Sequence, residues 1–281
     1  MANRSIEQVV ETVPTSDGAG VRLSRSLGTP KLPVLDPFLM LDEFRSDDPG
    51  DYIAGFPAHP HRGFETVTVM LAGAMQHKDS TGNKGDLRPG GAQWMTAGRG
   101  IIHSEMPQQV DGLMWGFQLW VNLPARDKMT APRYQDIDPS EIPVVSRPNA
   151  NVRVMAGVVD DVKGPIEGVA TEPLLLDVTL QPGATIELAV PSTHNAFLYP
   201  FEGSGHFGSH PEPIERSHLV VTKRDGDSVA VRASEAGVRF LVVAGRPIGE
   251  PVARYGPFVM NTRGELEQAF ADYRAGTFAQ A

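Results

Sequence analysis

Short runs in which apolar and polar residues alternate recur along the chain, and 29 glycines and 24 prolines interrupt them. Alternation with a period of two predicts β-strands, and this frequency of breakers favours short strands over long helices. The predicted strands are Thr66–Leu71, Gln118–Leu123, Leu174–Leu180, Thr185–Val190, His218–Thr222, Ser228–Arg232 and Arg239–Val243. The segments QPGA (181–184) and RDGD (224–227) lie between strands and are predicted to be hairpin turns. The pattern is typical of an all-β protein.

One segment near the end of the chain has a helical pattern instead. Thr262 and Glu265 have the spacing of a capping box, and Gly276 is a suitable helix terminator. Between them, apolar residues follow at helical spacing: Leu266, Ala269, Phe270 and Tyr273. We expect an amphipathic terminal helix that packs over one end of a β domain.

The chain divides into two similar halves. A segment rich in proline, aspartate and serine, about residues 131–151, interrupts the strand pattern and is predicted to be the linker between two β units. The segments ETVTVMLAGAMQH and NAFLYPFEGSGHFG, one in each half, both consist of a hydrophobic strand, a glycine turn and a returning strand. We therefore predict two antiparallel β-barrel domains in tandem, 1–135 and 136–281, with the terminal helix belonging to the second.

Composition narrows the class of protein. An apolar content of 41% is enough for two cores, and a net charge of −9 argues against a nucleic-acid or anionic-membrane surface. The absence of cysteine removes disulfides, thiolate ligands and a cysteine nucleophile, and it fits a reducing compartment. The first residues lack the apolar core of a signal peptide, and no apolar run reaches the ~18 residues of a membrane span. We expect a soluble cytoplasmic protein.

Two pairs of metal-binding side chains stand out. His59 and His61 lie one residue apart at the start of a strand-like run, and His103 and Glu105 repeat this spacing about forty residues later. Because alternate residues of a strand share a face, four ligands from two strands can converge on one point. Three imidazoles and a carboxylate suit iron, manganese, cobalt, nickel, copper or zinc, and leave coordination positions open on a six-coordinate metal.

The spacing leaves the carboxylate ligand open. Glu65 follows His61 by four positions and can share its face, so it competes with Glu105 as the fourth ligand. The remaining histidines show no such pairing, and we interpret them as surface or turn residues: His77, His194, His206, His210 and His218.

Four longer motifs resemble the pirin family of the cupin superfamily. They are FPAHPHRGFETVTVMLAG, QWMTAGRGIIHSEMP, FQLWVNLP and GPFVMNT, in family order over nearly the whole chain. The resemblance implies two cupin barrels, with metal only in the first. It also implies that the ligands are His59, His61, His103 and Glu105, where the general cupin pattern would use Glu65. One divalent transition metal per chain is expected, Fe²⁺ foremost, with nickel, manganese, cobalt, copper and zinc as alternatives.

The resemblance also implies an apolar cavity beside the metal. The residues expected to line it are Phe56, Met75, Trp94 and Met95. Arg62 and Arg99, each next to a glycine, are expected to orient carboxylates near the metal such as Glu65. An apolar cavity with a metal and a few polar groups suits a flat aromatic ligand.

The function that the resemblance implies is that of a quercetin 2,3-dioxygenase, which opens the ring of a flavonol with dioxygen and releases carbon monoxide. Glu105 is then the expected proton acceptor from the flavonol hydroxyl. The main alternative is a regulatory protein that binds a transcription factor or a metabolic enzyme and responds to the oxidation state of its iron. A cupin-type isomerase, or an oxygenase of another phenolic compound, would use the same ligands.

Overall fold

The computed structural model describes residues 1–279, in which 24 strands, three short 3-10 helices and one α-helix are found. The strands of the first half are β1 (Ile6–Glu11), β2 (Val13–Asp17), β3 (Val21–Leu27), β4 (Phe38–Ser46), β5 (Phe56–His61), β6 (Phe64–Ala72), β7 (Met75–Asp79), β8 (Lys84–Leu87), β9 (Ala92–Thr96), β10 (Ile101–Pro107), β11 (Met114–Asn122) and β12 (Arg133–Ile137). The 3-10 helices are Pro49–Asp51, Ala125–Asp127 and Pro139–Glu141.

The second half continues the all-β pattern up to the terminal helix. Its strands are β13 (Val144–Arg147), β14 (Ala150–Ala156), β15 (Val158–Val159), β16 (Val162–Lys163), β17 (Leu174–Leu180), β18 (Thr185–Ala189), β19 (Asn195–Phe207), β20 (Ile214–Glu215), β21 (His218–Thr222), β22 (Ser228–Gly245), β23 (Ala253–Tyr255) and β24 (Phe258–Met260). The helix α1 is Arg263–Ala275. All seven predicted strands are present, although the two within 228–243 form the single strand β22.

The strands form two compact units. Unit I consists of Pro14–Arg25, Phe38–Pro139 and the chain from Ile248 onward, and unit II consists of Met1–Val13, Ser26–Pro37 and Ser140–Pro247. The chain passes between the units after Pro139, inside the predicted linker.

The ends of the chain depart from the predicted division into 1–135 and 136–281. β1 lies in unit II because it pairs with β21, and α1 lies in unit I because it packs on β23 and β24. The compact units therefore group the two ends by their pairing and packing partners rather than by sequence position.

Unit II is built on one sheet whose main strand order is β1-β21-β19-β22-β17-β14-β13. Every second residue along its strands contributes an apolar side chain to the core, such as Leu176 and Val178 on β17 and Val220 on β21. The long strand β22 organises the sheet, because β17 pairs with its second half and β18 with its first half.

That arrangement corrects the two predicted hairpins. The chain reverses direction at 181–184 in a hydrogen-bonded turn and bends at 224–227, but the strands that flank each segment do not pair with each other. The turn at 181–184 joins β17, which pairs with the second half of β22, to β18, which pairs with its first half. The segment 224–227 joins β21 to β22, and both of these strands pair with β19. Turn chemistry predicts where the chain reverses, whereas the partner of each strand depends on the whole sheet.

Unit I contains the two-stranded sheet of β23 and β24 and two larger sheets. The larger has the order β12-β9-β6-β11-β4-β3-β2, and the smaller has the order β5-β10-β7-β8. The central strands β6, β11 and β4 are almost entirely buried, as expected for strands whose two faces are both covered. The smaller sheet carries both predicted ligand pairs, on β5 and β10.

The predicted terminal helix is confirmed at both ends. Thr262 accepts a hydrogen bond from the backbone N–H of Glu265, whose side chain accepts from the backbone N–H of Thr262. Gly276 adopts a left-handed conformation with φ 72°, which glycine allows without strain. Leu266 and Ala269 are buried against β24 and Phe278. Within residues 1–279, no helix is long and apolar enough to cross a membrane.

A buried lysine attaches the C-terminal segment to the rest of unit I. Lys128 Nζ donates to the carbonyl oxygens of Gly63 and Val259 and to Oδ1 of Asn122, at 2.7 to 2.9 Å. These acceptors lie between β5 and β6, on β24 and at the end of β11. The ammonium group therefore fixes the position of the C-terminal strand next to the end of β5.

We predict that Lys128→Met lowers the free energy of unfolding by about 3 kcal/mol or more, because three buried acceptors each lose a hydrogen bond at about 1–3 kcal/mol. Urea unfolding followed by circular dichroism measures the loss. The exposed Lys84→Met is the matched control and should change stability by less than about 0.5 kcal/mol. A loss for Lys128→Met as small as that of the control would contradict this role.

Candidate metal centre

The antiparallel pairing of β5 with β10 brings three histidines together. His59 lies opposite His103, and His61 lies opposite Ile101 in the same register. The ligand nitrogens of the three histidines lie within 4.8 Å of one another, so one metal ion could lie between them. His59 Nδ1 is 2.8 Å from the carbonyl oxygen of Pro57, which leaves Nε2 of His59 to face the group.

Glu105 is placed on the same strand after a change in register. A β-bulge between His103 and Glu105 sets Glu105 opposite Phe56 on one side, while it pairs with His77 on the other. The Oγ1 atom of Thr68 lies 3.2 Å from Oε1 of Glu105 and 2.6 Å from Oε1 of Gln118. A hydroxyl has one proton, so Thr68 donates to one of these acceptors at a time.

Burial controls the protonation of these groups. Desolvation, followed by the neighbouring histidines, holds the pKa of His61 and that of His103 well below the ordinary value. Desolvation also raises the pKa of Glu105, and the nearby His59 only partly offsets this effect. The imidazoles of His61 and His103 are therefore neutral near pH 7, the form in which histidine binds a metal ion.

His77 belongs to the cluster, so its assignment as a surface or turn residue was wrong. It is 3% exposed, and its Nδ1 lies 3.3 Å from Nδ1 of His103. A second group of potential ligand atoms consists of His77, His103 and Glu105. Strand alternation could have indicated this, because His77 and Asp79 are alternate residues of β7, which begins in the predicted returning strand of ETVTVMLAGAMQH.

Glu65 is directed away from the cluster. Glu65 and Thr68 lie three positions apart on β6, so their side chains project from opposite faces of the strand. Thr68 is the residue that contacts Glu105. Glu65 accepts a hydrogen bond of 2.6 Å from Thr96, and desolvation raises its pKa to about 7. Neither group of potential metal ligands found within residues 1–279 includes Glu65.

The expectation that Arg62 orients Glu65 was wrong. The guanidinium of Arg62 instead pairs with Asp272 of α1 at 2.6 Å, lies over the ring of Phe278 and donates to the carbonyl oxygen of Arg99. Arg99 meets Arg62 through its backbone, so this contact gives it no role toward Glu65. Arg62 therefore ties the terminal helix to the strand that carries His61.

A cavity of about 590 Å³ in unit I opens onto the cluster. His59, His61 and Glu105 form part of its wall. The wall also includes the apolar side chains of Leu23, Met40, Phe56 and Trp120 and the polar side chains of Asp42, Gln118 and Arg254. The ring of Trp120 lies 5.2 Å from that of His61, and the guanidinium of Arg254 lies 4.7 Å from the Trp120 ring.

Of the four predicted cavity residues, the cavity wall includes only Phe56. Met75 packs in a core cluster with Met70 and Leu87, and Met95 packs with Ala97 and Ile101. Trp94 lies two positions before Thr96, on the Glu65 side of the sheet. The residues that do line the cavity include two alternating pairs, Met40 with Asp42 on β4 and Gln118 with Trp120 on β11. Alternation places the two members of each pair on one face of their strand, but only the pairing of β4 with β11 shows that both pairs line the same cavity.

The histidines of unit II form no comparable group within the described residues. His194 is buried, and its Nε2 lies 2.9 Å from the carbonyl oxygen of Glu172. His206, His210 and His218 are half-buried. The potential metal ligands of the described chain are therefore all in unit I.

Two family descriptions match the chain: Pirin over residues 20–121, and the pirin C-terminal cupin domain over residues 175–279. A relative from Pseudomonas aeruginosa, named "Putative quercetin 2,3-dioxygenase", is 52% identical over 272 residues and covers 95% of both chains. The chain belongs to the pirin family. Its two units are cupin-type domains, as predicted.

Solved structures of pirin-family and related proteins have the same fold. The crystal structure of quercetin 2,3-dioxygenase from Acinetobacter baumannii matches this pirin-family chain with a TM-score of 0.91 and 33% identity, over 99% of each chain. A bacterial pirin from Escherichia coli, solved in complex with nickel(II), matches with a TM-score of 0.67 and 17% identity, over 85% of this chain and 98% of that one. At that identity the second match shows the fold alone.

The raised pKa of Glu65 predicts a specific pH dependence. A carboxyl group with a higher pKa in the folded chain stabilises the fold fully below its unfolded value, here near 4.5, and loses that contribution as the pH rises through about 7. Glu65→Gln mimics the neutral form. Between pH 5 and 8, the metal-free wild-type protein should therefore lose about 2–3 kcal/mol relative to this variant.

Urea unfolding at both pH values measures that difference. Glu235→Gln, at an exposed glutamate, is the control and should show the same difference from wild type at pH 5 and at pH 8. A pH-independent difference for Glu65→Gln would contradict the raised pKa.

Proposed function

We propose that this chain is a metal-dependent dioxygenase of flavonol-like substrates, with His59, His61, His103 and Glu105 as its metal ligands. The observation that carries the proposal is the convergence of the imidazoles of His59, His61 and His103, with Glu105 close to His103, beside a cavity whose wall includes two of these histidines and Glu105. The names of the Pseudomonas and Acinetobacter proteins support the substrate class.

The chemistry of the donors fits a transition metal. Nε2 of His103 is buried and has no hydrogen-bond partner within residues 1–279. A buried polar atom without a partner is costly, and coordination of a metal ion would satisfy it. Imidazole and carboxylate together accept iron, nickel, manganese, cobalt, copper or zinc. We propose Fe²⁺ as the native ion, with nickel, manganese, cobalt, copper and zinc as the alternatives.

The cavity fits a flat aromatic molecule. Its volume of about 590 Å³ is within the usual range for small-ligand sites. Leu23, Met40 and Trp120 supply apolar surface, and Gln118 and Arg254 supply polar groups for ring hydroxyls. In this arrangement the substrate would contact the faces of apolar side chains and direct one hydroxyl toward the histidines.

Glu105 would accept the proton of that hydroxyl. Burial raises the pKa of Glu105, which makes its carboxylate a stronger base than an exposed glutamate, and Thr68 holds one of its oxygens. When bound, the metal would supply Lewis acidity that favours loss of the substrate proton. The neighbouring apolar side chains would exclude water from the deprotonated substrate.

We predict about one transition-metal ion per chain in protein purified without an affinity tag, measured by mass spectrometry. The double variant His59→Ala, His61→Ala should lose this metal, because it removes two of three converging imidazoles. His206→Ala with His218→Ala, in unit II, is the matched control and should keep it. Equal metal content in both double variants would overturn the ligand assignment.

Glu105→Gln is predicted to lower turnover of quercetin by about 10²–10⁴-fold, because the amide cannot accept the proton. Oxygen uptake with quercetin measures the rate, and metal analysis of the same sample shows that the ion is still bound. Glu65→Gln is the control for loss of a buried carboxyl group and should retain wild-type turnover. Wild-type turnover by metal-loaded Glu105→Gln would refute the role of Glu105 as the base.

The same assays separate the enzyme from the regulatory alternative. A regulatory protein that binds a transcription factor or a metabolic enzyme would retain its metal and show no oxygen uptake with quercetin. That result would refute the dioxygenase proposal and leave the metal centre in place.

A further inference from the structure

A buried histidine behind the cluster is aligned with one of the proposed ligands. His77 on β7 pairs with Glu105 in the sheet register, and its ring centroid lies 5.0 Å from that of His103. The Nδ1 atoms of His77 and His103 are 3.3 Å apart. Both side chains are almost completely buried. No step of the proposed reaction uses His77.

A fixed carboxylate lies on the other side of His77. Nε2 of His77 is 4.0 Å from Oδ2 of Asp79, whose side chain has no exposed surface. Asp79 accepts hydrogen bonds from the backbone N–H and the hydroxyl of Thr81, and from the backbone N–H and the side-chain amide of Asn83. Four donors in one turn hold this carboxylate in its ionised form and in one orientation.

The protons in this row of groups can be assigned from their partners. If Nε2 of His103 binds the metal, Nδ1 of His103 carries the proton and donates it to Nδ1 of His77. Nδ1 of His77 is then an acceptor, so the proton of His77 is on Nε2, which faces Asp79. This pair of tautomers satisfies the contact between His77 and His103 and directs the Nε2 proton of His77 toward the Asp79 carboxylate, 4.0 Å away, although Nε2 makes no hydrogen bond within residues 1–279.

We infer that His77 and Asp79 are positioning residues that fix the orientation and tautomer of His103 and strengthen it as a ligand. This inference rests on the proposed metal centre. An imidazole that donates to a base is a better electron donor to its metal, and such outer partners affect metal affinity by about 10–100-fold. The ring of Tyr134, 4.6 Å from that of His77, holds His77 from the side.

Two substitutions of His77 separate hydrogen bonding from packing. His77→Phe keeps a ring of similar size against Tyr134 but cannot accept a proton from His103. His77→Gln loses the ring but keeps an acceptor oxygen. We expect His77→Phe to weaken binding of Zn²⁺ about 10–100-fold and His77→Gln to weaken it less. A role in packing alone predicts the opposite order.

Competition with a chromophoric chelator measures the Zn²⁺ affinity, and the visible spectrum of the protein loaded with Co²⁺ reports the ligand field. Asp79→Asn removes the charge and should shift that spectrum in the same direction as His77→Phe. His194→Gln, at a buried histidine of unit II, is the control and should leave affinity and spectrum unchanged. Urea unfolding of the metal-free variants shows that each is folded.

Each contrary outcome has a separate meaning. If wild-type protein does not bind Zn²⁺ or Co²⁺, the proposed metal centre itself fails. If wild type binds and His77→Phe binds equally well, or better than His77→Gln, the inference fails and the centre stands. If the metal survives in His59→Ala, His61→Ala but is lost in His77→Phe, then His77 is a ligand with His103 and Glu105, and the positioning role is refuted.

Discussion

The geometry of unit I depends on a buried cation. The ammonium group of Lys128 donates both to the carbonyl oxygen of Gly63, between β5 and β6, and to that of Val259, on β24. Gly63 has φ 84°, and its Cα lies so close to Val259 that an added Cβ would approach the Val259 carbonyl oxygen to 2.0 Å. The C-terminal strand can therefore approach the ligand strand only at a glycine. The segment that leads into β24 supplies Arg254, Gly256 and Pro257 to the cavity wall.

Burial gives the cluster its chemical character. Histidines buried beside one another cannot all be charged, so they remain neutral and available as ligands at ordinary pH. Burial raises the pKa of both Glu65 and Glu105, but the two carboxyl groups have different neighbours. Glu105 faces imidazoles and the cavity, whereas Glu65 faces the hydroxyl of Thr96. Position in the sheet, rather than residue type, separates the candidate base from a structural carboxyl group.

Local sequence patterns predicted elements better than partners. The terminal helix was predicted correctly because its capping box and its terminating glycine act within a few residues. The hairpins at 181–184 and 224–227 were wrong because the pairing of β17, β18 and β21 depends on the long strand β22. Arg62 was predicted to orient the carboxylate of Glu65, but its guanidinium pairs with Asp272, 210 positions away. A long-range partner of this kind leaves no trace in local spacing.

The sequence by itself determined the all-β character, the helix and the two alternating pairs, His59 with His61 and His103 with Glu105. It could do so because strand alternation places residues i and i+2 on one face wherever the strand lies. The tertiary structure decided that His77 adjoins His103, that Glu65 faces away, and that Met40 and Trp120 line the cavity. Those facts depend on which strands are neighbours and on the register of their pairing. Many residues far apart in the chain jointly determine both.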